Sequence, residues 1–137
     1  MFNKLIDRLQ VFFKSEDREV ELSTPVDRVA EFDLKYRELI IGTLQYQNGQ
    51  WTFAYSEAFK NQNQIQNIVD FPNKNKVYQS SMLFPFFSSR IPSLQRLKIQ
   101  KAIPQNFTMD EVGLLKMFGK QSIANPYQLI ANEQVLL

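Results

Sequence analysis

The dipeptide Asn48-Gly49 sits between two runs in which apolar and polar residues alternate, and it limits the fold of this chain more than any other feature. Both residue types tolerate a positive φ, so the pair closes a two-residue hairpin whose twist matches that of the strands it joins. Upstream, Ile40, Gly42, Leu44 and Tyr46 alternate with Ile41, Thr43 and Gln45; downstream, Trp51, Phe53 and Tyr55 fall on one face. A third run, Ala30, Phe32 and Leu34 against Glu31, Asp33 and Lys35, precedes them, joined through Tyr36 to Glu38. Successive strand side chains point to opposite faces, so the pattern predicts an antiparallel meander over 29–55 with one apolar and one wet face.

The apolar face needs a cover, and the stretch from Ser80 to Ile103 supplies aromatic and aliphatic surface for it. Ser80 or Ser81 is placed to cap a short helix, and Pro85 suits a first turn, where no amide proton is needed. Pro92 ends that helix. From Leu94 onward Leu97, Ile99, Ala102 and Ile103 recur at helical spacing. Thr108-Met109-Asp110-Glu111 reads as a capping box, followed by Val112, Leu115 and Phe118 as a buried stripe and by Gly119 as the stop. Ser56 to Lys60 allows one helical turn, and further strands are expected near 65–71, ended by Pro72, and at 127–131. The expected class is α+β: an antiparallel sheet of about five strands with the helices from 81 to 118 on one face.

The chain thus divides into an N-terminal extension (1–28), a domain (29–131) and a tail (132–137). In the extension, Phe2, Leu5, Ile6, Leu9, Phe12 and Phe13 lie on one face of an amphipathic helix, which suits docking on the domain, a partner groove or a membrane surface. The opening residues lack a continuous apolar run and a cleavage site, and no stretch is apolar enough to span a bilayer, so a cytoplasmic protein without membrane attachment is expected.

Composition narrows the chemistry. With no cysteine and no histidine among 137 residues, thiolate nucleophiles, cysteine-based zinc sites and the commonest general base are all missing. Four glycines, at 42, 49, 113 and 119, form no phosphate-binding loop. A net charge of +2 is too small for a phosphate-tracking surface, so direct nucleic-acid binding is not expected. The acid pairs Glu16-Asp17 and Asp110-Glu111 fit solubility and helix capping, and Ser88 and Ser89 fit polar roles at a helix end. Neither catalysis, metal nor cofactor is expected. Aromatic content is high, 13% with twelve Phe, which fits a core or an interface. Trp51 belongs to one or the other.

The order of pieces resembles the N-terminal subdomain of HipA-type toxin kinases. Ile41-Gly42-Thr43-Leu44, then Asn48-Gly49, then Trp51 to Tyr55 are similar to that family's V-G-x-L, G, x-F-x-Y hairpin. Leu83 to Pro92 is similar to its x-F-F-x-N-L-L/I-P segment, and Asp110 to Gly119 with Ser122 to Ile130 to its D-x-x-x-L-L-x-x-I-G helix and closing strand. The likeness spans about residues 29–131. In that family the subdomain is fused to a kinase core that phosphorylates a protein and works with a DNA-binding antitoxin.

Because the chain stops where that core would begin, the resemblance implies the small subunit of a split (HipS-like) toxin–antitoxin system. Such a subunit is non-catalytic and binds in trans a HipA-like Ser/Thr kinase that lacks its own N-terminal subdomain. It restrains that kinase by protein contact, with room for a DNA-binding antitoxin in the same complex. The partner-binding residues expected on this basis are Phe87, Ser88, Ser89, Arg90, Ile91, Pro92, Ser93, Leu94 and Gln95. Where the split family often continues Pro-Glu-Gly and a bulky aromatic, this chain has Pro92-Ser93-Leu94-Gln95, a departure that bears on plugging of the kinase site by an aromatic and not on docking, and both modes stay open. A scaffold module with the same fold and another partner is the alternative.

Overall fold

The computed structural model describes residues 24–93 and 110–133. Its elements are β1 (Ala30–Tyr36), β2 (Leu39–Gln47), β3 (Gln50–Tyr55), α1 (Glu57–Lys60), β4 (Tyr78–Ser80), α2 (Pro85–Ser88), α3 (Glu111–Phe118) and β5 (Gln128–Ala131). The strands form one antiparallel sheet in the order β4-β3-β2-β1-β5. The α+β class and the 29–55 meander are as the alternation requires. Asn48 and Gly49 take φ of 54° and 77°, the left-handed pair of a tight hairpin turn.

One register shift corrects the reading of β2. Leu34 faces Gly42 while Lys35 faces Ile40, so Ile41 is the extra residue of a β-bulge. A slip of one residue exchanges the two faces of a strand: Ile41 is fully buried and Ile40 is 39% exposed, the reverse of what uniform alternation predicts for them. The bulge is anchored from α1. Ser56 donates its backbone N–H to Ile41 O and its hydroxyl to Ile40 O, and its Oγ accepts from Phe59 N at 3.0 Å to cap the helix.

Beyond the bulge the covered face is assembled in registered rows. Phe32, Leu44 and Phe53 lie side by side, as do Ala30, Tyr46 and Trp51, all buried. The opposite face carries Glu31, Gln45, Thr52 and Gln79 in a row, none of them buried. Over the apolar rows Phe71 is the hub of a ring cluster, 4.5 Å from Phe53, 5.3 Å from Phe84 and 5.0 Å from Tyr78 between centroids. Each buried Phe contributes about 2–3 kcal/mol of transfer free energy, so these rings hold the cover down.

Three local expectations are corrected. Residues 65–71 form an irregular loop, and the fourth strand is Tyr78–Ser80 on β3. The Tyr55 hydroxyl explains it: it accepts from Ile68 N at 2.9 Å and donates to Phe71 O at 2.6 Å, satisfying in the interior backbone groups that a ladder would otherwise pair. Helix α2 is capped by the Phe84 backbone with Pro85 in its first turn; Ser80 Oγ instead accepts from Met82 N. Helix α3 is capped by Asp110, whose Oδ1 accepts from Gly113 N at 2.7 Å; Thr108 lies outside the described residues.

Gly119 does end α3, for want of space rather than for a positive φ. Its φ is −84°, and a Cβ there would stand 2.6 Å from Leu115 O. The amphipathic helix expected in 1–14, the helix expected from Leu94 and the tail beyond Glu133 all fall outside the described residues. No described helix is long and apolar enough to cross a membrane.

Candidate partner-binding site

Of the nine residues expected to meet a partner, seven are described, and α2 with the turn after it carries them. Phe87 points inward. Its ring packs 5.6 Å from Phe53 and 5.1 Å from Phe86, and it is 0% exposed. Arg90 is placed by the turn that closes α2, where Arg90 N donates to Phe87 O and Ile91 N to Ser88 O. Its guanidinium, 5% exposed, runs beneath the loop that follows α3. Nη1 donates to Gly119 O at 3.0 Å and weakly to Lys120 O at 3.5 Å; Nη2 donates to Asn125 Oδ1 at 2.8 Å and Tyr127 O at 3.0 Å. The planar fork of an arginine suits such a spread of acceptors, and the C-terminal carbonyls of α3 favour a cation.

Phe87 and Arg90 are therefore corrected as surface anchors. One fills the space above Phe53, and the other is engaged by its own chain. Ser89 and Ser93 are exposed, while Ser88, Ile91 and Pro92 are half-buried. The hydroxyls of Ser88 and Ser89 donate to Pro85 O and Phe86 O, the helix-end role expected of them. Leu94 and Gln95 fall outside the described residues.

The element that the sequence reading did not single out is the loop from Lys120 to Tyr127. Besides Arg90, Asn125 Oδ1 accepts from Tyr127 N, Ser122 Oγ from Ala124 N, and Lys120 O from Leu129 N. Within this pinned loop the Ile123 side chain is fully exposed. The available signal was an isoleucine set among Ser122, Ala124, Asn125 and Pro126, a turn composition that gives it no strand or helix face to join.

A second polar cluster closes the opposite end of α3. Arg28 Nε meets Asp110 Oδ2 at 3.2 Å, Thr24 Oγ1 donates to Glu111 Oε1 at 3.1 Å, and Tyr46 OH donates to Thr24 O at 2.8 Å. Burial pushes the Glu111 carboxyl above its ordinary range, and hydrogen bonding from Thr24 and a loose approach of the Trp51 indole N–H partly offset this. These carboxylates are occupied in capping and pairing. Trp51 is fully buried and belongs to the core. Among the described residues no group of three or more acidic, histidine or cysteine side chains could hold a metal ion.

The family model of the HipA N-terminal domain matches residues 32–124, from β1 through α3 into the loop that Arg90 holds. Searches of curated proteins and of solved structures gave no significant match. The family match covers well over half of the chain, and with it four of the five strands, the aromatic cover of the sheet and the helix that Asp110 caps: this chain belongs to the HipA N-terminal domain family.

Proposed function

We propose that this protein is a non-catalytic, antitoxin-like subunit that binds a separate HipA-like Ser/Thr kinase and restrains it by protein–protein contact. The observation that carries the reading is the family match over 32–124, the segment that in the resembling kinases accompanies but does not contain the catalytic core. The arrangement around α2 supports it. Ser89 and Ser93, with the half-buried Ile91 and Pro92, border a turn whose inward residues, Phe87 and Arg90, fix it rigidly to the domain. A turn held this way loses little conformational entropy on docking. Inhibition then requires only that it bind the inactive kinase more tightly than the active one.

Co-expression with a HipA-like kinase that lacks its own N-terminal subdomain tests the reading. A complex that survives purification, together with restored growth of cells making the kinase, is the expected result. Failure of the two proteins to associate at micromolar concentration overturns it. A complex with some unrelated protein in place of the kinase would favour a scaffold role for the same fold.

A further inference from the structure

We infer that the loop from Lys120 to Tyr127 is itself a docking surface, with Ile123 seating in an apolar pocket of the partner protein whose rim is acidic. The inference rests on the kinase-binding reading above and assigns its contact to residues outside the 87–95 turn. Three observations carry it.

Ile123 is a fully exposed branched apolar residue on a loop that the Arg90 side chain fastens at Gly119, Lys120, Asn125 and Tyr127. Rigid presentation of an apolar anchor is what a small interface needs, since ordering costs are met before binding. Among the described residues no packing accounts for an isoleucine in that position.

Among the described residues the cation beneath the loop has no carboxylate hydrogen-bond partner. Arg90 is satisfied by three backbone carbonyls and one side-chain amide, which carry partial charges only, and its buried Nε makes no hydrogen bond. The guanidinium itself is buried, but with no ion-pair partner among the described residues its charge adds to the positive potential at the loop surface. Lys120, exposed at the start of the loop, adds to it. So does Arg37, whose guanidinium lies 5.3 Å over the Tyr36 ring, itself 6.0 Å edge-on from Tyr127. Glu38 shares the turn with Arg37 and is a partial counter-charge.

An acidic protein surface fits this better than a nucleic acid does. Three cations are too few to track a phosphate backbone, and Ile123 offers no ring on which a base could stack. The half-buried rings nearby, Tyr36, Tyr127 and Phe86, already pack on one another or on the core.

The test uses the full chain and the kinase of the co-expression experiment, with affinities measured at low and high salt. Ile123→Asp is expected to weaken binding roughly ten-fold or more. Lys120→Glu should weaken it about three- to ten-fold at low salt and less at high salt, where surface charges are screened. Lys76→Glu, an equal charge change at an exposed site on the β4 side, should leave it unchanged. All three sites are exposed, so thermal midpoints should match the parent protein and exclude misfolding as the cause.

Binding unaffected by both Ile123→Asp and Lys120→Glu overturns the inference while the kinase-binding reading stands. An equal loss with Lys76→Glu also overturns it, because net charge alone would then be responsible. Displacement of the kinase by an oligothymidylate that needs Lys120 would replace the protein surface by a nucleic acid. A dimer of the chain itself that Ile123→Asp abolishes would replace it by a second copy. No complex with the parent protein removes the functional reading and this inference together.

Discussion

Replacing Arg90 by Met tests whether one side chain builds the exposed loop. Methionine keeps an apolar stem of similar length against Phe86, whose ring lies 5.8 Å from the guanidinium carbon, and removes every donor. Three bonds of 2.8–3.0 Å, to Gly119 O, Asn125 Oδ1 and Tyr127 O, are lost. At about 1 kcal/mol net each, and more for a charged donor, the gross loss is 3–5 kcal/mol. Burial opposes the charged form of Arg90, so relief of its desolvation returns part of that loss. A net destabilisation of about 3 kcal/mol follows, or a fall of about 10 °C in thermal midpoint for a domain of this size.

Urea denaturation gives the free energy, and amide hydrogen exchange gives the location. Protection should fall at Tyr127 N and Leu129 N, which donate to Asn125 Oδ1 and Lys120 O, while the β2–β3 ladder keeps its own. Arg90→Lys retains the charge but offers its donors from a single point and cannot span both sides of the loop; it should fall between the parent and Arg90→Met. Destabilisation of Arg90→Met below about 1 kcal/mol, with the Leu129 amide still protected, would refute the assignment of Arg90 as the pin.

Other outcomes follow from the same geometry. Tyr55→Phe strands a buried N–H and C=O, Ile68 N and Phe71 O, and should cost about 2–3 kcal/mol in urea denaturation. Burial pushes the Tyr55 hydroxyl up to about 12 from 10.0, so the unfolded chain loses that proton first. Stability is therefore full below pH 10 and declines as pH rises toward 12, a loss that Tyr55→Phe should reduce. Gly42→Ala puts a Cβ 2.6 Å from Ala54 O and 2.7 Å from Phe53 Cζ; since backbone cannot yield cheaply, a cost of about 2–3 kcal/mol is expected by the same measurement. Glu111, raised by burial, is most stabilising when protonated, so Glu111→Gln should raise the thermal midpoint at pH 7 and lose that advantage below the carboxylate range.

What could be read from the sequence was what short-range periodicity and turn chemistry decide. The Asn48-Gly49 turn, the faces of Phe32, Leu44, Trp51, Phe53 and Tyr55, the helical turn after Ser56 and the closing strand at 128–131 needed no knowledge of distant contacts. The misreadings share a cause. Residues 65–71 carry strand-like side chains, but Tyr55, ten or more positions away, supplies their hydrogen bonds from the interior. Ile40 and Ile41 alternate correctly on paper, and only pairing with Leu34 and Lys35 shows which of them is the bulge. Arg90 reads as an interface arginine until Gly119, Asn125 and Tyr127, some thirty residues on, are seen to be arranged around it. Local pattern carries no record of such partners.

The aromatic surplus leads to the same division of labour. A one-layer sheet with a polar outer face has a single apolar face to cover, and Phe53, Phe59, Phe71 and Phe87 are spent on it, all essentially buried. Exposed apolar residues, not the aromatics, then mark what is left for a partner. Among the described residues Val26 and Val29 precede β1, Ile40 stands at the bulge, and the most exposed are Val69, with Val77 and Met82 around β4, and Ile123 on the loop after α3. Around β4 they flank a three-residue edge strand and the irregular 61–77 loop, where local opening is easiest. Ile123 instead stands on backbone tied to a buried guanidinium. Two exposed apolar groups of similar size bury similar area, so the one presented by the more rigid support gives the larger net affinity. This difference in support, rather than in hydrophobicity, is the ground on which the loop held by Arg90 is proposed as the contact.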